Sequence, residues 1–113
     1  MDLSQYDANS LGNPHFNLFG LPITENDARL VIVPVPWEVT VSYNAGTSRA
    51  IEHILKASRQ VDLYDASFHD LWRKGYFLRE VDKKILLKSD YLRKEAELYI
   101  DYISSGEILE KNN

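Results

Sequence analysis

Apolar residues along this chain fall into distinct local patterns. Leu30, Val31, Ile32 and Val33 form an unbroken, β-branched-rich run. Lacking the polar alternation of a half-exposed strand, it predicts a strand buried on both faces of a parallel sheet. Pro34 and Pro36 follow. Neither can donate a ladder hydrogen bond, so the strand is expected to leave the sheet there and feed a hydroxyl-rich loop over residues 37–47. Beyond it, Ile51, Ile54, Leu55 and Ser58 recur at helical spacing behind two N-cap candidates, Thr47 and Ser48, with Glu52 near the positive end of the dipole. This predicts a helix of about three turns. Val61 and Leu63 alternate with Gln60, Asp62 and Tyr64, which predicts a second short strand and hence one βαβ crossover.

Three segments read differently. Phe68, Leu71, Trp72, Tyr76 and Phe77 are broken by Gly75 and predict only an irregular or short helical piece. From Ser89, read as an N-cap, Leu92, Ala96, Tyr99 and Ile103 fall at i, i+4, i+7 and i+11, with Lys94, Glu95, Glu97 and Asp101 largely on the other side. That is an amphipathic helix, ended by Ser104, Ser105 and Gly106 and followed by the polar tail Glu110, Lys111, Asn112 and Asn113. Residues 1–27 hold Gly12, Asn13, Pro14, Gly20, Pro22 and Asn26, too many turn formers for a regular element. They predict an extended N-terminal arm anchored by Phe16, Leu18, Phe19 and Leu21, ahead of a unit over residues 28–113 that holds the βαβ and the following helix.

A length of 113 residues allows one domain at most, and 44% hydrophobic residues exclude bulk disorder. With no Cys there is no disulfide, thiolate zinc site or thiol nucleophile. Thirteen Lys and Arg against 17 Asp and Glu give a net charge of −4. The basic residues are scattered, so nucleic acid is not an expected partner. No apolar run approaches the roughly 20 residues of a spanning helix, so no membrane is expected. The start, Met1-Asp2-Leu3-Ser4, lacks the basic and apolar order of a secretory leader, and a cytoplasmic location is the expectation.

The chain offers little self-contained catalytic chemistry. His15, His53 and His69 are the only imidazoles, and none has a second His at metal-ligand spacing. Asp65, His69 and Asp70 could fall within one turn, but solvated or capping roles are the expectation, and His53 and His15 read as surface and structural residues. Asp62 and Asp65 would face opposite sides of a strand. No catalytic or metal residue is therefore assigned. The loop at residues 37–47 remains: it leaves the C-terminal end of the predicted strand, where open α/β sheets bind ligands, although its hydroxyls could equally satisfy their own backbone.

The element inventory also falls short. A strand apolar on both faces needs neighbours on either side, whereas two strands and one crossover bury too little to offset an ordering cost of roughly 1–2 kcal/mol per residue. The sequence reads as the first part of a larger α/β domain, or as a piece completed by another chain.

At the loop the residues resemble a known family. Val33-Pro34-Val35-Pro36-Trp37-Glu38-Val39-Thr40, then Ser42-Tyr43-Asn44-Ala45-Gly46-Thr47-Ser48-Arg49, and further on Val61-Asp62-Leu63-Tyr64-Asp65, look like the N-terminal part of a ureohydrolase, the family of arginase, agmatinase and formimidoylglutamase. The resemblance implies an α/β fold, the N-terminal part of a three-layer α/β/α parallel-sheet (arginase-like) architecture, incomplete here. It also implies hydrolysis of a guanidino or amidine C–N bond by water activated between two manganese, or sometimes nickel, ions. The family's metal-binding stretches, Gly-Gly-Asp-His, Asp-Ala-His-x-Asp and Ser-x-Asp-x-Asp, do not occur, so no metal ligand carries over. Ala50 and Ile51 replace a usual Gly-Pro, and Asn44 a usual Gly. Thr40, Ser42, Tyr43 and Asn44 are the residues expected at the rim of the substrate cleft. The leading expectation is an N-terminal ureohydrolase segment, inactive alone and without cofactor of its own. The first rival is a non-catalytic module that docks on a full-length ureohydrolase subunit through Leu92, Ala96, Tyr99 and Ile103, or a homo-oligomer. A third reading is an independent small α/β protein with a ligand at residues 40–47.

Overall fold

A computed structural model describes residues 3, 6, 7, 10 and 12–105. The chain divides into two compact units. One holds residues 1–34 and 49–81, the other residues 35–48 and 82–113.

The first unit is built on two short parallel strands, β1 (Leu30–Ile32) and β2 (Tyr76–Leu78), with Leu30 opposite Tyr76 and Ile32 opposite Leu78. A helix, α1 (Ala50–Ser58), lies between them in sequence. Parallel pairing and an intervening helix agree with the α/β expectation, but the second strand is not at residues 60–64. There the chain turns. Val61 N donates to the Ser58 carbonyl as α1 ends, and the Asp62 carboxylate accepts from Tyr64 N at 2.9 Å. Such side-chain bonds compete with a sheet ladder. β2 instead follows Gly75, whose φ of +84° suits glycine and whose missing Cβ would lie 3.3 Å from Ala28 Cα.

The core of this unit is Leu21, Ile23 and Trp72, with Tyr6, Phe19, Leu63 and Tyr76 packed around it. The segment before β1 thus supplies buried side chains, Leu18 among them, while Phe16 stays exposed. It is fastened by polar contacts as well. Phe19 N donates to Ser58 Oγ at 3.0 Å, and Gly12 N to the Arg59 carbonyl at 3.2 Å. Asn17 donates to the Leu78 carbonyl at 3.0 Å and accepts from Leu78 N at 2.7 Å. One amide side chain thereby fills the backbone groups of β2 that a further strand would use. Gly20, at φ +66°, has no room for a side chain, because a Cβ would lie 2.6 Å from Gly12 Cα.

The expectation of a strand covered on both faces is not met: Leu30, Ile32 and Val33 are all exposed. Among the described residues β2 alone hydrogen-bonds to β1, so an apolar strand is left with an open edge and an uncovered face. Thr47 and Ser48 do not cap α1. A single 3₁₀ turn, Thr47–Arg49, precedes it, and Arg49 stands at the N-cap with no side-chain capping bond.

The second unit joins the loop to a long helix, α2 (Lys83–Ser104). Its N-cap is Asp82, seven residues before Ser89, the N-cap the sequence predicts, and the Asp82 carboxylate accepts from Lys84 N and Ile85 N. Ser89 is inside the helix and fully buried. The covered face is centred on it, with Ile85, Leu92, Ala96 and Ile100 partly covered, while Tyr99 and Ile103 of the predicted face are exposed. The helix ends at Ser104, as its sequence predicts. Gly106 and the polar tail lie outside the described residues. No helix among the described residues is long and apolar enough to cross a membrane.

Candidate functional site

Two prolines set the course of the loop. Pro34 and Pro36 are buried, and the chain then turns at Glu38, where Val41 N donates to the Glu38 carbonyl at 3.3 Å. The Glu38 side chain is itself buried, which for a carboxylate requires partners. It accepts from Gly46 N at 2.7 Å and Ser48 N at 3.2 Å, so one residue at the start of the loop ties down its end. Glu38 N donates to the buried Ser89 hydroxyl at 3.0 Å. Arg93, one turn further along α2, donates to the carbonyls of Val39 and Val41 and to Glu97 Oε1. Glu38, Ser89 and Arg93 thereby form a polar frame beneath the loop.

Above that frame stand the predicted residues. Thr40, Ser42, Tyr43 and Asn44 are all exposed, Tyr43 at 89%. They lie together on one five-residue stretch and present two hydroxyls, a phenol and an amide, a set that can donate and accept hydrogen bonds. It contains no nucleophile paired with a base. The loop is therefore a fixed base with an exposed crest of hydrogen-bonding side chains.

Sequence reading missed the frame. Glu38 sits between Trp37 and Val39, an acid among apolar neighbours, with Gly46 and Ser48 eight and ten residues on. The only signal was that an acid in such company needs backbone donors. Arg93 and Ser89 carried none, since their contacts span more than 50 residues.

The remaining polar candidates take structural roles. His15 N donates to Asn13 Oδ1 in a turn, and His53 is exposed on α1. The Asp65 carboxylate accepts from Ser67 N and Phe68 N, Asp70 pairs with Arg73 at 3.5 Å, and His69 meets the edge of Tyr64. His69 and Asp70 border an open hollow of about 380 Å³ beside Trp72 and Tyr6. Burial there, and then the nearby Asp7 charge, raise the Tyr6 phenol above its ordinary value. Among the described residues no three His, Asp or Glu side chains converge so as to hold a metal ion.

Comparison with known proteins gives one short likeness. A stretch of 50 residues is 42% identical to the N(1)-aminopropylagmatine ureohydrolase of Synechocystis sp., covering 40% of this chain and 16% of that protein. The likeness is to a ureohydrolase. It points to a related hydrolase family, while the chain spans only a small part of the length of its relative. No family model matches the chain, and no solved structure matches it.

Proposed function

We propose that this chain is the N-terminal segment of a metal-dependent ureohydrolase, an enzyme hydrolysing a guanidino or amidine C–N bond, and that it is inactive without the remainder. The observation that carries this reading is the loop: an exposed polar crest, Thr40 to Asn44, locked from beneath by Glu38 and Arg93, in a chain with local ureohydrolase similarity. The donor set does not fit the family's two manganese or nickel ions, since no described cluster of His, Asp or Glu could hold one. No hydrolytic step is therefore assigned to these residues. The part of this chain is to hold substrate at the cleft rim, where the hydroxyls of Thr40, Ser42 and Tyr43 and the Asn44 amide can bond the polar end of a guanidino compound. A loop already fixed in shape loses little freedom on binding.

The uncovered face of β1, with Leu30 and Ile32 exposed, favours one further reading, a non-catalytic module that docks on a full-length ureohydrolase subunit. Urea release from arginine and agmatine, assayed with manganese or nickel, tests the first reading. The isolated chain is expected to show no turnover, and metal-dependent turnover by it would refute the proposal. A change in sedimentation on mixing with a full-length ureohydrolase would support the second reading, and its absence would refute it.

A further inference from the structure

The covered face of α2 accounts for only part of its apolar surface. Leu87, Tyr91 and Leu98 are 67%, 66% and 70% exposed. Single exposed apolar residues are ordinary, but these three are aligned. At spacings of four and eleven residues they fall within about 40° of one another around the helix axis, roughly opposite Ser89, in a stripe about 16 Å long. No described residue covers it.

The charges beside the stripe say what fits it. Lys83, Lys84 and Lys88 crowd the N-terminal end of α2, and Glu95, Glu97 and Asp101 outnumber Lys94 in its C-terminal half; Lys94 itself borders the stripe between Tyr91 and Leu98, on the same flank as Asp90. A second helix of the same sequence laid parallel would set like charges together, whereas an antiparallel one sets basic against acidic and opposes the two helix dipoles. With Leu87 of one copy opposite Leu98 of the other, Lys83 falls one residue from the level of the other copy's Asp101. Lys88 falls two residues from the level of its Glu95. Lys83 and Asp101 lie on one flank of the stripe and Lys88 and Glu95 on the other, and in an antiparallel pair like flanks meet. All four are exposed. Such a contact is isologous, so every pairing occurs twice.

We propose that two copies of this chain associate antiparallel through the Leu87, Tyr91 and Leu98 face of α2. The pairing does not depend on the hydrolase reading. Sedimentation equilibrium of the full chain near physiological salt should show a concentration-dependent monomer–dimer equilibrium that weakens on raising salt to about 0.5 M. Leu98→Glu, at an exposed site, should yield monomer with unchanged circular dichroism. Lys83→Glu should raise the dissociation constant about tenfold, and adding Asp101→Lys should restore it. Because the chain has no native Cys, register can be read directly. A mixture of L87C and L98C should cross-link on oxidation. L87C alone should not, because two copies of position 87 would be about 16 Å apart, beyond the roughly 4–7 Å a disulfide tolerates. A monomer at every concentration, a dimer indifferent to Leu98→Glu, or efficient self-cross-linking of L87C would each overturn the proposal.

Discussion

Replacing Glu38 by Ala removes the acceptor that joins the two ends of the loop. Its carboxylate takes two backbone N–H bonds, at 2.7 Å from Gly46 and 3.2 Å from Ser48, and bonds to a charged acceptor contribute about 1.5–3 kcal/mol each. The two losses are unequal. Gly46 is exposed, so water can replace the carboxylate there and the loss falls at or below the low end of that range. Ser48 is 3% exposed, and its N–H would be left dry at a cost of about 1–3 kcal/mol. Relief from burying a charge offsets part of the sum, which leaves a net destabilisation of about 2–4 kcal/mol for Glu38→Ala. Glu38→Gln keeps one carbonyl oxygen and should lose about half as much. Amide hydrogen exchange at Gly46 and Ser48 reads the effect locally. Urea unfolding followed by Trp37, which lies in the loop, reads its energy, while Trp72 reports the first unit. Should Glu38→Ala leave both amides equally protected and the stability within about 0.5 kcal/mol, the carboxylate does not organise this loop.

Other perturbations test the frame around it. Gly20→Ala puts a Cβ at φ +66° and 2.6 Å from Gly12 Cα, so a loss of about 2 kcal/mol or more is expected in thermal or chemical unfolding. Asp82→Ala should cost about 1 kcal/mol and fray the first turn of α2, visible as faster exchange at Lys84 and Ile85, whose N–H groups it bonds. The raised Tyr6 pKa makes the native state hold a proton that the unfolded chain releases above about pH 10. Stability should therefore fall as pH rises from there through the higher folded value, and Tyr6→Phe should flatten that part of the profile. Absorbance titration of the phenolate gives the shift independently.

Local pattern made α1, the C-terminal end of α2 and the position of β1 readable in the sequence, because each rests on contacts between near neighbours. What escaped depends on distant ones. β2 is three residues long between Gly75 and Arg79, too short for any period, and is a strand only because β1 lies beside it. Residues 60–64 alternate like a strand, yet the Asp62 side chain captures the backbone first. Ser89 has the chemistry of a cap, but Asp82 takes that role and the Ser89 hydroxyl serves a backbone N–H 51 positions away. The loop residues Thr40, Ser42, Tyr43 and Asn44 stood out through their hydroxyls and through the family resemblance. The Glu38 frame that fixes them did not, since an isolated acid discloses nothing about which amides will reach it.

Titration calorimetry of the isolated chain with manganese tests most directly whether it has a hydrolytic centre of its own. The account predicts no stoichiometric uptake, consistent with the absence of any converging His, Asp and Glu cluster among the described residues. Saturable binding of two ions per chain at micromolar affinity, abolished by replacing His69, would contradict it.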